Sequence, residues 1–149
     1  MRQSLAVKYR PKTFEDVVGQ DITSKILKRM VETRNFKNCY LFAGDSGCGK
    51  TTLARCLATA INQGQGSPEE IDAASHNGVD DVRAIVEAGK QRAIGCEYKI
   101  FIIDECHAIT TQGWQAYLKG LEETPAYTIY IFCTTEPNKI PEAVLNRMQ

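Results

Sequence analysis

The stretch Tyr40-Leu41-Phe42-Ala43-Gly44-Asp45-Ser46-Gly47-Cys48-Gly49-Lys50-Thr51-Thr52 passes from an apolar run into a glycine loop and then into a basic, hydroxyl-bearing segment. It predicts a buried strand, a tight loop and a helix, in that order. Gly44, Gly47 and Gly49 permit positive φ and close backbone approach. Main-chain N–H groups from Gly44 through Thr52, including those of Asp45, Ser46 and Cys48, then converge on an anion at the positive end of the helix. Lys50 neutralises phosphate charge, and the Thr51 hydroxyl is placed to coordinate Mg²⁺, which takes a few protein oxygens together with phosphate oxygens and water. The strand before and the helix after separate this phosphate-binding loop from an ordinary glycine turn.

Outward from the loop, helical periodicities alternate with apolar runs. Helices are predicted around Ile22, Ile26, Leu27 and Met30, around Leu53, Leu57 and Ile61, around Val79, Val82, Ile85 and Val86, and around Trp114, Tyr117, Leu118 and Leu121. Strands are predicted at 39–43, 70–73, 99–103 and 128–133. Ile100-Phe101-Ile102-Ile103 is apolar at every position, as a parallel strand covered on both faces requires. The fold class is α/β, with helices on both sides of a mainly parallel sheet. Asn62 to Pro68 is a short polar loop rather than a linker, and 149 residues suffice for one domain, 1–149.

Eighteen Lys+Arg balance eighteen Asp+Glu, so bulk charge gives no signal for nucleic acid or membrane, and a nucleic-acid contact has to come from a local patch. No apolar stretch approaches the roughly 20 residues of a membrane helix, and no signal-type core follows Met1-Arg2-Gln3-Ser4. A cytoplasmic location without membrane contact is expected. The six cysteines are scattered, with no C-x-x-C pair and no clustered histidine, so reduced thiols and no zinc are expected. Cys48, at a helix N-terminus, reads as a loop residue; a redox switch there is the alternative.

Ligands of open α/β sheets bind beyond the carboxyl ends of the strands. Asp104 and Glu105 end the run at Ile103, which suits an aspartate holding the magnesium shell partly through water and a glutamate acting as general base. Thr134-Thr135 ends the next run, where a hydroxyl is placed to bond γ-phosphate or the attacking water. Arg147 ends a short helix from Ile140 to Asn146 with Pro141 in its first turn. Sequence physics alone assigns Arg147 no role.

Taken together the motifs resemble the AAA+ ATPases of DNA clamp loaders, and among them the bacterial DNA polymerase III gamma/tau group. The markers are Lys8-Tyr9-Arg10-Pro11 with Phe14 and Val18-Gly19-Gln20, the phosphate loop, Ile71-Asp72-Ala73-Ala74-Ser75, Asp104-Glu105-Cys106-His107, Leu121-Glu122-Glu123-Thr124-Pro125 and Thr134-Thr135-Glu136-Pro137. The resemblance implies ATP and Mg²⁺ as ligands, with adenine packed by Tyr9, Arg10, Pro11, Val18 and Gly19. It implies Thr134 as first sensor and Arg147 as the arginine that reaches a neighbouring subunit's ATP site. It further implies Ser75, His76, Asn77 and Arg83 as contacts to primed DNA without sequence reading. The implied partners are other loader subunits, the sliding clamp and primed DNA.

Three departures from the family pattern stand out. Asn146 and Met148 replace the Ser and Cys that flank the family's arginine, and no four-cysteine zinc module follows the phosphate loop. The chain also stops at Gln149, so a last strand, a lid and a collar are expected to be missing, leaving the first strand with an apolar edge. A branch-migration or repair motor, a non-hydrolysing loader scaffold and a small-molecule kinase are the competing readings. The first would need a pore-loop or winged-helix element, the second has no need of a magnesium site, and the third lacks an acceptor site.

Overall fold

The computed structural model describes residues 22–44 and 49–146. The described chain runs α1 (Ile22–Thr33), β1 (Cys39–Ala43), α2 (Lys50–Ile61), β2 (Glu69–Asp72), α3 (Val79–Ala88), β3 (Lys99–Asp104), α4 (Thr111–Glu122), β4 (Thr128–Thr134) and α5 (Glu142–Leu145), with single 3-10 turns at Cys106–Ala108 and Pro137–Lys139. The four strands form one parallel sheet in the order β1-β4-β3-β2.

Successive side chains on a strand point to opposite faces, and each face here has its own core. Tyr40, Phe42, Ile100, Ile102, Ile129, Ile131 and Cys133 face α2, meeting Leu57, Ala58 and Ile61, with Met30 and Val31 of α1 packed alongside. Cys39, Phe101, Ile103, Tyr130 and Phe132 face the other way, toward Val82 of α3, Trp114 and Tyr117 of α4, and Val144 of α5. This two-sided burial is why β3 and β4 read as unbroken apolar runs. The second layer is rich in aromatic contacts: Phe101 stacks on Tyr130 with centroids 5.2 Å apart, and Tyr117 meets Phe132 edge-on at 5.2 Å. Gly120 lets α3 and α4 close together, since a Cβ there would sit 2.6 Å from Val86 Cγ1.

The connections explain the layering. From β1 the chain crosses over one face with α2 to β2 at the far edge, then returns strand by strand over the opposite face with α3 and α4. Right-handed crossovers made in opposite directions put the helices on opposite faces. The edge strand β2 is blunted by charge, with Arg55 holding Glu70 through two 2.8 Å hydrogen bonds and Lys99 lying 3.4 Å from Glu69. Among the described residues β1 has a neighbour on one side only.

The predicted strands and helices are all found, with small shifts in their ends. β3 extends to Asp104 because Asp104 pairs with Asp72, and β4 extends to Thr134 because Thr134 pairs with Ala43. β2 spans Glu69–Asp72 rather than 70–73. Pro141 does not lie in the first turn of α5: its ψ of 141° is extended, so it precedes the helix and its carbonyl accepts the N–H groups of Val144 and Leu145. The polar loop after α2 is pinned by Asn62, whose side-chain amide donates to the Tyr98 carbonyl at 3.0 Å and whose carbonyl oxygen accepts the Tyr98 N–H at 2.8 Å.

Candidate nucleotide site at the carboxyl edge of the sheet

β1 ends at Ala43, and the next N–H, that of Gly44, still bonds the Thr134 carbonyl at 3.2 Å, so the loop leaves from a fixed point beside the end of β4. It re-enters the described chain at Gly49, whose φ of 79° and ψ of 19° are left-handed and favour glycine. Gly49 precedes α2 and offers no side-chain cap, and no acidic residue stands in the helix's first turn. The leading N–H groups of α2 therefore have no intrahelical acceptor, and among the described residues the first turn carries no acid of its own, which suits the positive end of the helix to an anionic ligand. Lys50, Thr51 and Thr52 occupy that first turn.

Across from this helix end, the Thr51 hydroxyl donates to Asp104, 3.1 Å from Oδ2 and 3.3 Å from Oδ1. Two hard oxygen donors from the two elements that the sequence nominated meet directly, a donor set that suits Mg²⁺. Cys133 of β4 lies within the electrostatic reach of the same groups. Its thiol is pushed up to about 12, by burial first and by Asp104 next, against the opposing pull of Lys50.

Glu105 follows with φ 54° and ψ 43°, a left-handed conformation uncommon for a residue with a side chain. The turn aims the chain across the top of the sheet, and His107 lands against the end of β4, with Nδ1 2.8 Å from the Thr134 hydroxyl oxygen. His107 Nε2 lies 3.5 Å from Glu105 Oε2 and 3.4 Å from Glu136 Oε2. Thr134 Oγ1 also accepts the Glu136 N–H at 2.9 Å. Glu136 is held below the usual carboxylate range by its hydrogen bond to Lys139, the Nζ–Oε1 distance being 3.0 Å.

Lys50, Thr51, Asp104, Glu105 and Thr134 thus gather at one edge of the sheet. Asp45, Ser46, Gly47 and Cys48 lie outside the described residues, as do Arg147 and the adenine candidates Tyr9, Arg10, Pro11, Val18 and Gly19. Of the DNA candidates, Ser75, His76 and Asn77 lie in the loop from β2 to α3 and Arg83 lies in α3. In that loop the Ser75 hydroxyl is 3.5 Å from Asp72 Oδ2, Asn77 donates to the Ala74 carbonyl at 3.5 Å, and His76 Nδ1 is 3.3 Å from the Asp72 carbonyl oxygen. Arg83 is 3.8 Å from Asp80. Asp80 and Asp81 occupy the first turn of α3, with Asp81 accepting the Gly78 N–H at 3.4 Å, so this helix end already has its anions.

Sequence reasoning missed His107 and Glu136 as members of the site. Both were visible only as parts of wider motifs, because their role depends on the ends of β3 and β4 lying side by side.

The comparisons with known proteins agree with this arrangement. Residues 40–149 match the ATPase family associated with various cellular activities (AAA). The chain belongs to that family. This AAA sequence is 40% identical to the DNA polymerase III subunit gamma/tau of Mycoplasma pneumoniae, over the whole of this chain and 25% of that protein. It is 38% identical to the DNA polymerase III subunit tau of Bacillus subtilis, over 99% of this chain and 30% of the relative. The chain therefore spans between a quarter and a third of these relatives' length. The AAA fold itself recurs in a DNA polymerase III gamma subunit-related protein of Thermotoga maritima, with a TM-score of 0.71 at 24% identity over 84% of this chain and 43% of that one. It recurs also in the RuvB Holliday junction branch migration motor of Thermotoga maritima, with a TM-score of 0.72 at 21% identity over 93% of this chain and 46% of that one. No helix among the described residues is long and apolar enough to cross a membrane.

Proposed function

We propose that residues 1–149 form the ATP-binding and hydrolysing motor domain of a bacterial DNA polymerase III clamp loader, which places a sliding clamp on primed DNA. The observation that carries the motor reading is the Thr51 hydroxyl on the Asp104 carboxylate, at the start of a helix whose own first turn carries no acid. The clamp-loader reading rests on the identity to gamma/tau subunits along the full chain.

In this scheme the N–H groups from Gly44 to Thr52 and the Lys50 ammonium bind the phosphates, and Thr51 and Asp104 hold Mg²⁺, Asp104 partly through water. When bound, Mg²⁺ neutralises charge on the phosphate oxygens. Glu105 accepts the proton of the attacking water, and Thr134 reports on the terminal phosphate. Tyr9, Arg10, Pro11, Val18 and Gly19 pack the base. Arg147 is supplied to the ATP site of an adjacent subunit, an arrangement in which trans arginines stabilise transition-state charge by about 10³–10⁵ in rate. ATP binding then favours the closed subunit interface by its differential affinity for that state, and hydrolysis relaxes it. DNA contact through Ser75, His76, Asn77 and Arg83 belongs to the same proposal. It requires Arg83 to turn from Asp80 toward phosphate.

The test is hydrolysis measured in trans. The chain alone is expected to turn ATP over very slowly, and mixing it with the other loader subunits, clamp and primed DNA should accelerate hydrolysis strongly. Arg147→Ala should abolish that acceleration at the neighbouring subunit's site while leaving this chain's own nucleotide affinity unchanged. Rapid turnover by the chain alone would contradict the trans scheme.

A further inference from the structure

The Thr134 hydroxyl has one proton to give, and His107 Nδ1 lies 2.8 Å from its oxygen. Two carboxylates, Glu105 and Glu136, face His107 Nε2 at 3.5 and 3.4 Å. Only an N–H suits that side of the ring, since a bare lone pair there would face two anions. On a neutral ring Nδ1 is then the acceptor, and it sits 2.8 Å from Thr134 Oγ1. The Glu136 N–H already occupies one lone pair of the same oxygen at 2.9 Å. With the ring neutral, Thr134 spends its only proton on His107. For Thr134 to donate to a phosphate oxygen, its hydroxyl must leave Nδ1, and the ring then loses the contact that, with Nε2–H between Glu105 and Glu136, fixes its orientation. Loss of that contact loosens the hold on Glu105.

Glu105 is poised for such a change. Its left-handed backbone, φ 54°, is a conformation that persists only where the surroundings impose it, and such outliers concentrate at sites that switch. Its side chain is about two-fifths exposed, whereas His107 is largely buried, at 14% exposure, between the ends of β3 and β4. The fixed element is thus the imidazole, and the movable one is the carboxylate.

We propose that His107 is a positioning residue that couples the two ends of the reaction centre: it keeps Glu105 drawn aside while Thr134 is bonded to Nδ1, and releases Glu105 toward the attacking water when Thr134 engages nucleotide. This inference rests on the roles given above to Glu105 and Thr134, and adds the link between them. His107 touches neither nucleotide nor water in the scheme. It acts through the two residues it bridges.

The chain has only two histidines, His76 and His107, so ¹⁵N-histidine labelling gives a readily assigned spectrum. In the nucleotide-free chain His107 is expected to show a protonated Nε2 and a hydrogen-bond-accepting Nδ1. Adding Mg²⁺ with adenylyl imidodiphosphate should move both nitrogens together. In Thr134→Val the nucleotide should still bind, yet Nε2 should no longer respond; an unchanged Nε2 response in that variant overturns the coupling. Single-turnover hydrolysis by the chain assembled with the other loader subunits, clamp and primed DNA gives the second readout. His107→Asn keeps an amide near Nδ1 and His107→Gln keeps one near Nε2, so each preserves one link and breaks the other. Each should lower the rate by about tenfold with nucleotide affinity unchanged, a fraction of the loss expected from Glu105→Gln. Thr134→Val combined with either should be no slower than Thr134→Val alone. If Glu105→Gln is as fast as the unaltered chain, the reading of the site fails and this inference with it. If Glu105→Gln is slow while both His107 variants match the unaltered chain, the coupling alone is wrong.

Discussion

Gly49→Ala tests the junction on which the site is built. Gly49 holds φ 79° and ψ 19° at the start of α2, with its carbonyl accepting the Leu53 N–H at 2.8 Å. A Cβ in that left-handed region costs roughly 1–2 kcal/mol. The alanine also stiffens the unfolded chain, which returns roughly 0.4–1 kcal/mol. The net loss is about 1 kcal/mol, and for a chain of this size each kcal/mol moves Tm by about 2–4 °C. Urea unfolding followed by circular dichroism measures the first effect. The second concerns binding: if the backbone relaxes to negative φ to escape the strain, the N–H groups after Gly49 turn away from their common target, and ATP affinity falls further than stability does. Gly49→Asn, which visits the left-handed region more readily, should fall between glycine and alanine in both measurements. Equal stability and equal ATP affinity for the alanine variant and the unaltered chain would refute the account of the loop-to-helix junction.

Gly120→Ala gains helix propensity, worth about 1 kcal/mol, but drives a methyl to 2.6 Å from Val86 Cγ1, and overpacking of this kind costs roughly 1–3 kcal/mol. Thermal unfolding should show a net loss, and adding Val86→Ala should remove the clash and leave the two substitutions clearly non-additive. Burial pushes the thiols of Cys106 and Cys133 up, Cys133 to about 12, so mass spectrometry after native thiol labelling at pH 8 should find both unmodified, with labelling only in denaturant. Glu136 is held below its ordinary value of 4.5 chiefly by Lys139, so its stabilising contribution is present above about pH 4.5 and is lost as pH falls through the depressed folded-state value. In Lys139→Ala the Glu136 carboxyl should titrate closer to its ordinary value by NMR, and that acid-side loss of stability should shrink.

Most of the architecture was legible because its signals are local. The all-apolar stretch at Ile100–Ile103 and the i, i+3, i+4, i+7 pattern from Trp114 to Leu121 each identify an element without reference to the rest of the chain. Strand ends were less certain: Asp104 and Thr134 are strand residues because of their partners Asp72 and Ala43, and pairing does not show in composition. Pro141 was misplaced by one structural step for a similar reason, since proline suits both the first helical turn and the residue before it. Among the candidate site residues, Lys50, Thr51 and Asp104 carried strong motif signals. His107 did not, because its meaning arises from Thr134 and Glu136, which are distant in sequence and near only across two strand ends. The acid in the first turn of α3 was readable as Asp80-Asp81, and its effect on the neighbouring DNA candidates follows from the helix starting at Val79.

The central claim is that the open end of α2 and the Asp104 carboxylate form one magnesium-nucleotide site. Titrating a fluorescent ATP analogue into the chain with and without Mg²⁺, beside Lys50→Ala and Asp104→Asn, addresses it most directly. Mg²⁺ should tighten binding, Lys50→Ala should weaken it by about 10- to 100-fold through loss of a charged hydrogen-bond partner, and Asp104→Asn should remove most of the Mg²⁺ effect. Binding that ignores Mg²⁺ and is unchanged by either substitution would contradict the claim.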